Sequence, residues 1–275
     1  MSARPPHQRS AQDKSQRRDH HASQRREEPV YEETILYGVN AISVVLEHAP
    51  ERVVRVLYMG ARQGARGALL ERAEQLGVEL AQARARQLEH YVGDEQHQGV
   101  LAFVRPAPLA EWHELKASAL AEGGVIVALD QVTDPRNFGA ILRSAEAFGA
   151  KGALITSNRC ARPGPVVART SAGSSELLPV AMVTNLAQAL EEAQAEGFQV
   201  IGADMEGTPS HALDFCGPTV IVIGAEGKGL RAKSRALCDH IASIPILGRT
   251  ESLNASVAAG VLLYEASRQR LVSAP

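Results

Sequence analysis

From Gly124 onward the chain alternates short, continuously apolar runs with longer mixed segments, and no other feature limits its fold so tightly. The runs are Val125–Leu129, Ala153–Thr156, Phe198–Ala203, Val220–Ile223 and Ile241–Ile244. A strand with one wet face alternates apolar and polar residues, whereas a strand covered on both faces is apolar throughout. Between the runs, the patterning predicts helices at Phe138–Phe148, Leu186–Glu196 and Asn254–Arg270, the last with an apolar face through Val257, Val261 and Tyr264. Buried strands separated by helices of this length predict an α/β fold, a parallel sheet with helices on both faces.

The chain before Gly124 reads differently. A helix is expected at Ala41–Glu47, a buried strand at Val53–Tyr58, and a helix at Ala65–Leu76 closed by Gly77, with strands at Val78–Leu80 and Val100–Val104. That is a small α/β unit over 33–106, ended by Pro106 and Pro108. A helical or loose connector over 107–122 leads to the larger domain over 123–275.

Residues 1–32 are polar, and between Met1 and Val30 there is no Val, Ile, Leu, Phe, Tyr or Trp. Such a segment buries too little apolar area to offset the entropy of ordering, so a disordered tail is expected. Residues 1–26 carry seven Lys/Arg against Asp13 and Asp19, leaving 22 basic and 29 acidic side chains for the rest. A basic tail on a mildly acidic body suits a polyanionic partner, and equally suits a solvated tail that aids solubility. Cys160, Cys216 and Cys238 form no C-x-x-C pair, so neither a disulfide framework nor a metal site is expected. No apolar run approaches the roughly 18 residues that span a bilayer, and the expected location is the cytoplasm.

Ligands of parallel α/β sheets bind beyond the carboxyl ends of the strands, and three such segments here are rich in polar groups and glycine. In the first, Asp134-Pro135 marks a helix start, followed by Asn137 and, six residues on, Arg143. The second, Gly224-Ala-Glu-Gly-Lys-Gly-Leu230, allows a ligand close to backbone amides. It is neither G-x-G-x-x-G nor a Walker loop, since Gly229 stands where the latter needs Ser or Thr. The missing fingerprint argues against a nicotinamide-dependent oxidoreductase, and Glu226 among the glycines suits a ligand with a positive centre better than a phosphate. In the third, Ser252-Leu-Asn-Ala-Ser256 opens a helix, and capping needs only one of those polar groups. Taken singly, each segment is also explained by a cap, a turn or a solvated side chain.

Together, Asn-x5-Arg-x5-Gly, Gly-x-Glu-Gly-x-Gly-Leu and Ser-Leu-Asn-x-Ser resemble the three motifs of the SpoU–TrmH family in the SPOUT superfamily, in order and spacing over Val125–Arg270. Tyr37-Gly-Val-Asn-Ala41 and His97-Gln-Gly-Val-Leu-Ala102 resemble the L30e-like substrate-binding domain of one branch. Departures are small: Ala255 stands where the family often has Val, and Lys151 where it often has His.

The resemblance implies an S-adenosylmethionine-dependent RNA ribose 2′-O-methyltransferase with a C-terminal trefoil knot, working as a homodimer through the knotted domain. It implies a catalytic set of Asn137, Arg143, Glu226, Ser252 and Asn254. The cofactor is expected against Gly224, Gly229, Ile244 and Leu253, with Ile246 or Leu247 lining the adenine pocket. The branch favours a guanosine of 23S ribosomal RNA, in the large-subunit precursor. A tRNA guanosine, a ribosomal adenosine, and a noncatalytic RNA-binding assembly factor remain alternatives.

Overall fold

The apolar runs become strands of two sheets. The computed structural model describes residues 33–93 and 95–273, so the tail expected over 1–32 lies outside the described residues. The smaller sheet comprises Thr34–Tyr37 (β1), Val53–Tyr58 (β2), Glu79–Gln82 (β3) and Val100–Val104 (β4), in the order β1-β4-β2-β3. β4 runs antiparallel to both neighbours, while β2 and β3 are parallel. Helices Val39–His48 (α1) and Gly64–Gln75 (α2) pack Ile42, Leu46, Leu69 and Leu70 against Val56 and Ala102. The short helix Ala85–Val92 (α3) brings Leu88 against Leu101 and Phe103. Gly77 ends α2 as expected: its φ is 73°, and Val78 N donates to Ala73 O at 2.9 Å.

Helix Trp112–Ala121 (α4) connects the sheets, and the larger domain follows. Its elements are Val125–Asp130 (β5), Pro135–Ala147 (α5), Gly152–Thr156 (β6), Pro165–Thr170 (α6), Val180–Val183 (β7), Leu186–Ala195 (α7), Gln199–Pro209 (β8), Thr219–Gly224 (β9), Ala232–Ala236 (α8), His240–Ser243 (β10) and Ala255–Ser273 (α9). The six strands are ordered β10-β8-β9-β5-β6-β7, and every ladder is parallel. The expected coverage of both faces is found. Val127, Leu129 and Ile221 meet Phe138, Ile141, Leu142, Leu262 and Leu263 from α5 and α9 on one side. Ile126, Ala128 and Val220 meet Trp112, Leu115, Leu186 and Leu190 from α4 and α7 on the other.

Three features differ from the sequence reading. β7, an edge strand of four apolar residues, is not among the five runs named from the sequence. β8 runs on to Pro209, and its pairing with β10 jumps from Gly202 to Thr208, so Ala203–Gly207 arches out of the sheet. Helix α9 turns the face through Val257, Val261 and Tyr264 outward, these being 50, 36 and 54 % exposed. It buries Ala255, Ala259, Leu262, Leu263 and Ala266 instead. The helix is apolar on most sides over 255–264, and its small residues allow close approach to α5, where Gly260 Cα faces Ser144.

The two sheets share a packed seam. Ala168 of α6 enters the core of the small sheet's helices. Gly173, at φ 95°, lies so near α1 that a Cβ there would meet Val44 Cβ at 2.8 Å. Arg52 donates to Glu176 at 2.6 Å, both side chains being almost fully buried.

Candidate active site

Loops at the carboxyl ends of β5, β8, β9 and β10 converge on one region. α5 begins as its sequence implies, with Pro135 in the first turn and Asp134 accepting from Arg136 N at 2.9 Å. That start presents Asn137, which is buried, to the loop after β9. Asn137 Nδ2 donates to Glu226 Oε2 at 3.0 Å, and Asn254 Nδ2 donates to Asn137 Oδ1 at 3.0 Å and to Glu226 Oε1 at 3.5 Å. Asn254 has a second task, because its Oδ1 accepts from Ser256 N at 2.8 Å and caps α9. Its amide group therefore donates to the cluster while its oxygen holds the helix start.

The glycine segment is a closed turn. Ala225 N donates to Gly229 O at 3.1 Å and Gly229 N returns to Ala225 O at 2.8 Å, with Gly227 and Gly229 at φ 73° and 64°. Gly224 is packed beneath it: a Cβ there would lie 2.2 Å from the Gly229 carbonyl carbon. The far side is anchored by Asp130 at the end of β5, which is fully buried and accepts from Arg231 N at 2.9 Å and Arg231 Nε at 2.5 Å.

Beside this turn lies a cavity of about 370 Å³ lined by Gly224, Glu226, Gly229, Ile244, Ser252 and Leu253 of the expected set. Ile246 lines it as well, whereas Leu247 does not and is 99 % exposed. Asn137 and Asn254 stand at the rim through Glu226, which belongs to both cluster and cavity wall. Arg143 is further along α5, exposed, and makes no side-chain hydrogen bond or ion pair among the described residues.

Sequence reasoning missed two contributors. The arch within β8 supplies Ala203, Asp204, Met205 and Glu206 to the wall, and Asp204 pairs with Arg235 and accepts from Glu206 N. Acids at the carboxyl end of an apolar strand, in Ala203-Asp-Met-Glu206, were the available signal. Asp130 carried the same one.

The lining suits S-adenosylmethionine. Ile244, Ile246 and Leu262 offer apolar area for an adenine ring, and the carboxylates of Asp204, Glu206 and Glu226 favour a cation over a phosphate. Among the described residues no group of three or more His, Cys, Asp or Glu could hold a metal ion, and no helix is long and apolar enough to cross a membrane.

Known proteins agree with this geometry. Residues 124–264 match the model of the SpoU rRNA Methylase family, and residues 35–110 match that of the RNA 2′-O ribose methyltransferase substrate-binding domain. A Pseudomonas putida protein named 23S rRNA (guanosine-2′-O-)-methyltransferase RlmB is 40 % identical over 243 residues, covering 86 % of this chain and 97 % of that one. A Coxiella burnetii protein of the same name is 37 % identical over 249 residues, covering 87 % and 97 %. The crystal structure of the SpoU methyltransferase AviRb from Streptomyces viridochromogenes in complex with AdoMet superposes with a TM-score of 0.69 at 30 % identity, over 88 % of this chain and 92 % of that one.

Fold and site thus define the class, a SPOUT-type α/β methyltransferase that uses S-adenosylmethionine. The chain belongs to the SpoU rRNA methylase family, the RNA ribose 2′-O-methyltransferases.

Proposed function

We propose that this protein methylates the ribose 2′-hydroxyl of a guanosine in 23S rRNA, on the large-subunit precursor in the cytoplasm. The observation that carries the reading is the Asn137–Glu226–Asn254 cluster, three motifs joined by side-chain hydrogen bonds at the rim of a cofactor-sized cavity. The names of the relatives from Pseudomonas putida and Coxiella burnetii support the substrate.

In this reading, residues 33–106 bind RNA, 107–122 link, and 123–275 catalyse, with the closing segment threaded as a trefoil knot. The exposed apolar strip of Val257, Val261 and Tyr264 on α9 supports a homodimer through the catalytic domain.

Bound S-adenosylmethionine supplies an activated methyl carbon and a leaving group that departs neutral. The remaining task is to align the ribose hydroxyl and make it nucleophilic. Gly224, Gly229, Ile244, Leu253 and Ile246 hold the cofactor, chiefly through backbone and apolar contact. Glu226 fixes the Asn137 and Asn254 amides, and Ser252 and Asn254 position the ribose. The Arg143 guanidinium stabilises the developing alkoxide or holds a substrate phosphate that takes the proton of the ribose hydroxyl.

Incubation with methyl-labelled S-adenosylmethionine and unmodified 23S rRNA, 16S rRNA or bulk tRNA tests the assignment. Label on a 23S guanosine ribose is expected. Label only on tRNA, or on an adenosine, overturns the substrate assignment.

A further inference from the structure

A second cavity, of about 380 Å³, opens between β1, the end of α3 and the start of α6, where the small sheet meets the catalytic domain. Its walls are mixed in a particular way. Ile35, Val92 and Val166 are apolar, Tyr91 is 41 % exposed beside it, and Glu33 and Glu95 bring two carboxylates. Tyr37 lines it too, with a side chain only 2 % exposed and a hydroxyl that has no hydrogen-bond partner of good geometry among the described residues, although Glu95 is near. A buried hydroxyl without a partner is costly, and native structures rarely leave one without a use. Burial first, and the Glu95 charge second, raise the Tyr37 pKa above its ordinary value, so the hydroxyl keeps its proton and can donate.

The two carboxylates exclude a phosphate here. A flat ligand with N–H donors and an apolar face meets every group in the wall. Guanine meets them best, because its imino and exocyclic amino groups present adjacent donors to a carboxylate and its O6 accepts from a hydroxyl. Unstacked RNA bases are commonly read in this manner, by an aromatic side chain and by bonds to the pairing edge. An ion pair also ties the wall of this cavity to the start of α5, which carries part of the catalytic cluster. Arg136 reaches to 3.8 Å from Glu95, and its neighbour Asn137 belongs to the catalytic cluster.

We propose that the cleft bounded by Tyr37, Tyr91, Glu95 and Val166 receives an unpaired guanine base of the RNA substrate, and so sets which nucleotide reaches the cofactor. This rests on the reading of the protein as an RNA methyltransferase. Glu95 and Tyr37 are specificity residues, acting through the base and not on the reacting oxygen.

The test uses the full chain with Glu95→Gln and Tyr37→Phe, both close in shape to the original. For each, the KM for 23S rRNA fragments should rise about tenfold, the size of one lost hydrogen bond, with S-adenosylmethionine affinity unchanged. Inosine in place of the recognised guanosine, which removes the 2-amino group, should impair the wild type by a similar factor and E95Q no further. RNA carrying 6-thioguanosine should photocrosslink to peptides containing Tyr91 or Val166. Unchanged KM in both variants, additive effects of inosine and E95Q, or crosslinks confined to other surfaces overturn the proposal. The crosslinking arm needs no turnover. Wild-type protein that crosslinks in the cleft but transfers no methyl group to ribose would retain this site and defeat the proposed function.

Discussion

Asn137 and Glu226, 89 positions apart in the chain, are joined by a 3.0 Å hydrogen bond that ties the first turn of α5 to the glycine turn after β9. Glu226 accepts from two amides at once, through Oε2 from Asn137 and through Oε1 from Asn254. Glu226→Gln puts an NH2 group where one of those acceptors stood, so one amide must turn away. Methyl transfer should fall about 10- to 100-fold, as expected for the loss of a charge-assisted bond at a reacting centre. Steady-state rates with saturating RNA and cofactor check this, and rates within twofold of wild type would remove Glu226 from the positioning role.

Arg143 offers the opposite contrast, since it makes no side-chain hydrogen bond or ion pair among the described residues. Arg143→Ala should therefore change folding stability by no more than about 0.5 kcal/mol and leave cofactor affinity intact, while transfer is abolished. Denaturant unfolding, calorimetric binding of S-adenosylmethionine and a transfer assay separate the three effects. Near-normal turnover would exclude Arg143 from the chemistry.

How far these relationships were legible in the sequence depends on their range. The five apolar runs gave five of the six strands of the large sheet, because burial on both faces writes itself into consecutive residues. Asp134, Pro135 and Gly77 gave helix ends, because caps are local chemistry. The arch over Ala203–Gly207 was not legible, since it is a break in register between β8 and β10 and depends on a partner strand 33 or more residues away. Nor was the orientation of α9, whose apolar residues go almost all the way round, so that the fit of small side chains against α5 decides which face turns in. Leu247 illustrates the same limit in miniature: the family resemblance allows Ile246 or Leu247 in the pocket, and the folded loop puts Ile246 in its wall and Leu247 in solvent.

Gly224 is fixed by contact and not by backbone angle. A methyl group there would lie 2.2 Å from the carbonyl carbon and 2.4 Å from the oxygen of Gly229, both main-chain atoms that cannot rotate aside. Gly224→Ala should displace the whole 225–229 turn and weaken cofactor binding at least 100-fold. Gly248→Ala, where nothing lies within 4 Å of the added carbon, is the matched control and should bind normally. Equal affinity in the two variants would show that the turn does not form the cofactor wall.

Cys238 provides a pH signature. Its thiol packs against Gly202 and donates to Ser234 O at 3.2 Å, and burial, reinforced by the Asp239 charge, pushes its pKa up from 9.0 to about 12. A folded value above the unfolded one means that this stabilisation is fully present below about pH 9 and is lost as pH rises toward 12. The stability difference between wild type and Cys238→Ala should thus be constant up to pH 9 and narrow above it. Denaturant melts at intervals from pH 7 to 11 measure this, and a pH-independent difference would contradict the assignment.

The Asp130–Arg231 pair converts the end of β5 into a fixed point for the glycine turn. The Asp130 carboxylate is fully buried and both its oxygens accept from Arg231, one from the backbone N–H and one from the guanidinium. Arg231→Ala keeps the backbone bond but leaves a fully buried carboxylate without its counter-charge; because the guanidinium itself is 45 % exposed, the cost should be about 1–2 kcal/mol, below that of a pair buried on both sides. Because the lost bond anchors the residue that follows Leu230, cofactor affinity should fall along with stability. Asp130→Asn with Arg231→Met removes both charges at similar volume and keeps a side-chain oxygen to accept from the backbone N–H of residue 231. The double variant should therefore regain most of the stability lost in R231A. It should regain less of the cofactor affinity, since Met has no donor to hold the turn against β5. If affinity and stability recover together, the pair serves the fold alone and the turn is held by its own hydrogen bonds.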